Sequence, residues 1–174
     1  MIHRPPHILQ DETWYFLTAH TYSAEPILKT TEHKDIWVQE FMKLGAEFRV
    51  EVSAWVLLDD HYHLLGYFKD KDSFPLFVKR LHGVSSFRIN QMDHVNGRSV
   101  WYSYWDRCVR DERDYWTRFN YIHYNPVKHG YVQSPEKWEY SSYRNIVARK
   151  GQAWIDEVWG SYPILEYDFE GRGK

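Results

Sequence analysis

Apolar positions change period several times along the chain, and each change marks an element. Residues 13–22, TWYFLTAHTY, are dense in β-branched and aromatic side chains and predict a first strand. Over 31–48, Ile36, Trp37, Val38, Phe41, Leu44 and Phe48 recur at roughly helical spacing, with Thr31 at the start and Gly45 near the end. RVEVSAWVLL (49–58) alternates and then turns wholly apolar, which predicts a buried strand. Asp59–Asp60 supplies a tight turn, and HYHLLGYF (61–68) returns as the second strand of a hairpin. Residues 73–93 place Phe74, Phe77, Val78, Leu81, Val84, Phe87 and Ile89 on or near one helical stripe. Pro75 falls in the first turn, where proline is tolerated. HVNGRS (94–99) reads as a loop and residues 100–110 as extended chain. A helix over 111–130 begins with acids, which suit its positive end. It should stop before Pro126, whose ring disfavours a helical residue ahead of it. Beyond lie a short helix or turn at 139–151 and an irregular tail containing Pro163.

The order β, α, β, β, α, β, α predicts an α+β, ferredoxin-like sandwich. An antiparallel sheet would carry helices on one face, with an additional C-terminal helix after it. The 174 residues fit one domain, read as 1–150, followed by an acidic tail, 151–174. Net charge is −2, which argues against a generally basic coat for nucleic acid. The charge is uneven, however. Residues 69–98 hold Lys69, Lys71, Lys79, Arg80, Arg88 and Arg98 against three aspartates, so a local basic patch is compatible with the acidic total. Aromatic residues make up 18% of the chain, more than a core needs, and exposed rings suit base stacking or protein contact. The single cysteine, Cys108, excludes an internal disulfide and a cysteine-rich zinc site. With no signal-like or membrane-length apolar run, the expected location is soluble and intracellular.

Chemistry concentrates in two short stretches. Side chains two apart on a strand share a face, so His61 and His63 project together while Tyr62 and Leu64 point the other way. Neutral imidazole is a common metal ligand, and two on one strand suit one divalent cation. A pair of hydrogen-bonded histidines on a sheet surface would leave the same trace. In NYIHYNP (120–126), Tyr121 and Asn125 stand one helical turn apart. A tyrosine near a metal or a basic group can act as a nucleophile, and an amide oxygen suits a hard cation. A core tyrosine and a helix-ending asparagine would also explain them. His123 lies on a different helical face and reads as surface or supporting; His129, after Lys128, is placed to meet phosphate.

Taken in order, the HxH strand after a tight turn, YIHYNPVKHGYV (121–132) and WEYSSYRN (138–145) resemble the REP-associated tyrosine transposases. These are relatives of the single-tyrosine transposases of the HUH superfamily. WDRCVRDERDYWTRFNYIHYNP (105–126) shares the look of the segment leading to that family's tyrosine, and the resemblance spans about residues 12–146. It implies a ferredoxin-like core whose additional helix carries the catalytic tyrosine. It also implies a divalent metal, Mg or Mn, and cleavage of single-stranded DNA beside a palindromic repeat hairpin. By matching position, Tyr121 is then the nucleophile, His61 and His63 are ligands, and Asn125 is the third ligand. The family's MPNHxH stands here as LLDDHYH, with Asp60 in place of the asparagine.

The implied reaction is a transesterification through a 5′-phosphotyrosine, which conserves phosphodiester energy; no Walker-type glycine loop is present. The implied partner is single-stranded or hairpin DNA, with no membrane, for a cytoplasmic, nucleoid-associated monomer or homodimer. One alternative is a domesticated binder of repeat hairpins that does not cut. Another is a metal hydrolase of the double-stranded β-helix type, which needs a downstream Glu; none occurs between His63 and Glu112.

Overall fold

The computed structural model describes residues 8–164. The first seven residues and positions 165–174, including the end of the acidic tail, lie outside the described residues. Four strands, β1 (Thr13–Thr21), β2 (Glu51–Leu57), β3 (His61–Phe68) and β4 (Trp101–Cys108), pair antiparallel in the order β2-β3-β1-β4. Helices α1 (Thr31–Glu47) and α2 (Ser73–Met92) complete the ferredoxin-like βαββαβ unit, and α3 (Glu112–Lys128), α4 (Tyr143–Lys150) and α5 (Gln152–Ser161) follow.

Strand alternation divides the interior into two cores. Tyr15, Leu17 and Ala19 of β1, Trp55 and Leu57 of β2, and Tyr62 and Leu64 of β3 face α1 and α2. The intervening residues, Phe16, Ala54, Val56 and Leu65, face Phe119, Tyr121 and Ile122 of α3 and Ile155 and Val158 of α5. The expected single covered face is therefore the α1–α2 side only. The additional helix lies against the opposite face, and α4 and α5 close that second layer. Gly66 sits inside β3 where a Cβ would come within 3.1 Å of Val50 Cγ1, so a larger residue there would have to push that side chain aside.

Three expectations change in detail. Helix α1 is capped by Thr30, one residue before Thr31, whose side chain accepts from the His33 N–H. Helix α3 begins where the acids predicted, with Asp111 accepting from the Asp114 N–H. It nevertheless runs through Pro126 to Lys128. Pro126 removes one hydrogen bond in the last turn, but Asn125 ahead of it is fully buried and held from the sheet by His61. Tertiary contact thus outweighs the local bias against helix before proline. Last, the tail read as irregular contains α5, whose Ile155 and Val158 are buried and whose Val158 carbonyl accepts from Asn120 Nδ2.

The segment 138–142 completes the β2 edge. Leu57 N–H donates to the Tyr140 carbonyl, Ser142 N–H to the Trp55 carbonyl, and Trp138 Nε1–H to the Leu57 carbonyl. These contacts satisfy part of an edge that would otherwise be open.

Candidate active site

The site lies between the α3-facing side of the sheet and the second half of α3. Register fixes its first layer: His61 pairs with His20 and His63 with Thr18 across β3 and β1. His61 and His63 project from the same face, their ring centroids 5.1 Å apart and nearly perpendicular. Tyr62 points into the opposite core, as the alternation requires.

Each imidazole is oriented by a partner on one nitrogen. His63 Nδ1 meets the Thr18 hydroxyl at 2.8 Å, and its Nε2, fully buried, has no hydrogen-bond partner among the described residues. Burial first, then the positive field of His61, His20, His129 and Lys128, pushes the His63 pKa well below its ordinary value, so the ring stays neutral. His61 Nδ1 lies 2.6 Å from Asp60 Oδ1, as a carboxylate that fixes an imidazole's tautomer does. Burial alone would raise the Asp60 pKa. The His61 hydrogen bond and the charges of His61, His20 and His129 outweigh it and leave the carboxyl below its usual range.

Helix α3 supplies the other wall. Tyr121 is buried, its ring edge-on to His63 at 5.2 Å between centroids and to Phe16 at 6.2 Å. Lys128 Nζ lies 5.0 Å from the centre of that ring and donates to the Tyr121 hydroxyl at 3.4 Å. One turn beyond Tyr121, Asn125 places Oδ1 3.1 Å from His61 Nε2. The four residues singled out by sequence, His61, His63, Tyr121 and Asn125, therefore meet in one place.

These residues fit a divalent cation. His61 turns Nδ1 to Asp60 and Nε2 to Asn125 Oδ1 at 3.1 Å, and the nitrogen of a neutral His61 imidazole and the amide oxygen are both atoms a divalent cation takes. The buried Nε2 of His63 adds a third donor atom for a metal with no other partner. A second set shares His61: donor atoms of His20, Asp60 and His61 lie within 4.8 Å of one another. The inner set is favoured by its neutral, unpartnered His63 and its two imidazoles with an amide oxygen. In the outer set, the Asp60 carboxylate is already committed to His61.

Sequence reasoning did not place His20, which reaches the site only through strand register, 5.0 Å from His61 between ring centroids. His129, 5.0 Å from His61, does stand at the site. His123 is not at the surface. It is fully buried, its Nε2 meeting the Ser142 hydroxyl at 2.8 Å, and burial pushes its pKa down to about 3. Tyr124 points away, partly exposed and edge-on to Trp159.

Residues 14–125 match the family model for IS200-like transposases. The chain is 29% identical over 154 residues to a REP-associated tyrosine transposase of Escherichia coli K12, covering 87% of this chain and 82% of that protein. It is 29% identical over 171 residues to a putative REP-associated tyrosine transposase of Haemophilus influenzae, covering 91% and 87%. Among solved structures, a REP-associated tyrosine transposase bound to a REP hairpin shares the fold at a TM-score of 0.74, with 21% identity over 95% of each chain.

Proposed function

Because the chain belongs to the IS200-like transposase family, we propose that it cleaves and rejoins single-stranded DNA beside repeat hairpins, with Tyr121 as nucleophile and His61, His63 and Asn125 as ligands of Mg or Mn. A similar chain takes a REP hairpin, which supports a hairpin as the substrate here. The observation that carries the reading is Tyr121 edge-on to His63 at 5.2 Å, with Asn125 one turn further on the same helix touching His61.

The metal, when bound, polarises the scissile phosphate and offsets charge on its non-bridging oxygens. The rest falls to the chain. The Tyr121 oxygen forms a bond to phosphorus as the P–O3′ bond breaks. The proton lost by the phenol is balanced by the one gained at the 3′-oxygen, leaving a 5′-phosphotyrosine and a free 3′-OH. Lys128 favours the phenolate by its charge. An arriving phosphate competes with the Tyr121 hydroxyl for that ammonium, which draws Lys128 off the ring it covers. His129 and His20 add positive potential toward the same point. Attack by a 3′-OH on the phosphotyrosine reverses the step and rejoins a strand.

The test is a covalent adduct. Wild-type protein incubated with labelled hairpin DNA carrying single-stranded flanks, with Mn, should give a protein–DNA species on a denaturing gel that maps to Tyr121 by mass spectrometry. Tyr121→Phe removes one oxygen and almost no volume, so it should fold and bind yet form no adduct. An adduct at full yield in that variant would end the assignment. No adduct on any tyrosine of the wild type would favour the non-cleaving hairpin binder.

A further inference from the structure

We infer that the face of β4 turned toward α3 is a track for unpaired DNA, with the Trp105 indole as a base-stacking platform and Arg107 and Arg110 as phosphate contacts. The inference rests on the reading of this chain as a DNA strand transferase.

Register puts the track beside the nucleophile. Trp105 pairs with Thr18 and Arg107 with Phe16, and cross-strand partners share a face. Thr18 holds His63, so Trp105 and Arg107 lie on the site side of the sheet. Phe16 stands between them and the chemistry, 6.1 Å from Trp105 and 6.2 Å from Tyr121 by ring centroids. Asp106, the acid between them, pairs with Leu17 and is turned to the α1–α2 side. Alternation thereby clears a carboxylate from this face. β4 is an edge strand, so a polymer can run along it without displacing a neighbouring strand.

The chemistry is that of single-strand binding. Trp105 is half-buried, so its ring is fixed against Phe16 while part stays open; Arg107 and Arg110 are exposed. The Arg107 guanidinium lies 5.0 Å from the Trp105 ring centre. The two side by side present an aromatic and a guanidinium surface, both of which bases accept with little regard to sequence. Next to it, Arg118 lies over Phe16 and pairs with Asp114 at 2.7 Å, and Arg110 reaches the same carboxylate at 3.6 Å. Asp114 thus pairs with Arg110 and Arg118, while Arg107 rests on Trp105 instead. A purely structural pair of Trp105 and Arg107 would explain the packing but not the second exposed arginine, Arg110, just past the end of β4.

The experiment compares two labelled probes by fluorescence anisotropy: a DNA hairpin with a mixed-sequence unpaired extension, and the same hairpin without it. Wild-type protein should bind the extended probe more tightly; equal affinity overturns the inference. Trp105→Ala should weaken binding of the extended probe by about 5- to 150-fold, while Trp105→Phe keeps most of the affinity. Arg107→Gln should lower the log–log salt slope for the extended probe by about 1. The bare hairpin should be unaffected throughout. Equal losses on both probes, or none on the extended one, overturn the track. If thermal melting shows Trp105→Ala unfolded, the exposed Arg107 decides: an unchanged slope in Arg107→Gln is then the overturning result. Adduct formation by the wild type in the same samples separates the two readings. Extension-dependent binding with no adduct sinks the cleavage chemistry alone, and an adduct with indifferent variants sinks the track alone.

Discussion

His63 shows how much a single residue carries. Its ring is fully buried, neutral and anchored on Thr18 through Nδ1, and its Nε2 has no hydrogen-bond partner among the described residues. A cation that binds the native state and not the unfolded chain raises the melting temperature. Mn should therefore stabilise the wild type in a thermal melt, and His63→Ala should lose that response. A full shift in the variant would count against the metal assignment. Two other histidines, His123 fully buried and His82 half-buried against Tyr62, govern acid sensitivity. Burial pushes His82 and His123 down to about 3 from an ordinary 6.5. Between those values the unfolded chain binds more protons than the native one. Stability is therefore complete above about pH 6.5 and is lost as pH falls through that window. Each group adds a slope of about 1.4 kcal/mol per pH unit. His82→Phe removes one of them, at the cost of leaving the Tyr62 hydroxyl without its His82 Nε2 contact at 2.9 Å. Urea unfolding from about pH 7.5 to about 4.5 should show a slope flatter by about one proton, whatever the variant's starting stability. An unchanged slope would show that His82 does not titrate this way.

Among the elements, α3 determines whether the site exists. It presents Tyr121 and Asn125 one turn apart to the two histidines and is pressed onto the sheet from outside by α5. That outer layer is specific: Asn120 Nδ2 donates to the carbonyls of Val158 and Tyr162, while Ile155 is buried in the second core. Ile155→Ala should cost about 2–5 kcal/mol, as deep aliphatic truncations do, measured as a fall in urea midpoint. A change below about 1 kcal/mol would mean α5 is only loosely docked. The start of α3 was legible because Asp111, Glu112 and Asp114 announce a helix N-terminus. Its end was not, because Asn125 is kept helical before Pro126 by His61, a residue 64 positions away. Likewise α5 follows Gly151, a residue at positive φ that ends α4, and its amphipathic residues are too few to declare their face without the core they fill.

Over the whole molecule, charge placement matters more than its total. A chain with net charge −2 gathers Lys128 beside His20, His61 and His129 at one end of α3, and Arg107, Arg110 and Arg118 along the adjoining β4 face. Such a surface should prefer a hairpin with an unpaired strand over a blunt duplex of equal length, since stacking needs open base faces. Competition in matched salt should show it, and equal competition by the duplex would contradict it. Chelating the metal should abolish the adduct while leaving hairpin binding within a few-fold, because the cationic side chains remain. No described helix is long and apolar enough to cross a membrane.

The sequence by itself determined the element order from β1 to α3, the two faces of each strand and the family. Period-2 and period-3.6 patterns are local, and His61–Tyr62–His63 and Tyr121–Asn125 each state their own shared face through spacing alone. Only the tertiary structure decided that these two faces meet, that α3 covers the side of the sheet opposite α1 and α2, and that His20 and Thr18 join the histidine pair. Those facts depend on strand register and helix docking. Both are set by contacts between residues tens of positions apart, such as Thr18 with His63 and His61 with Asn125, which no local period encodes.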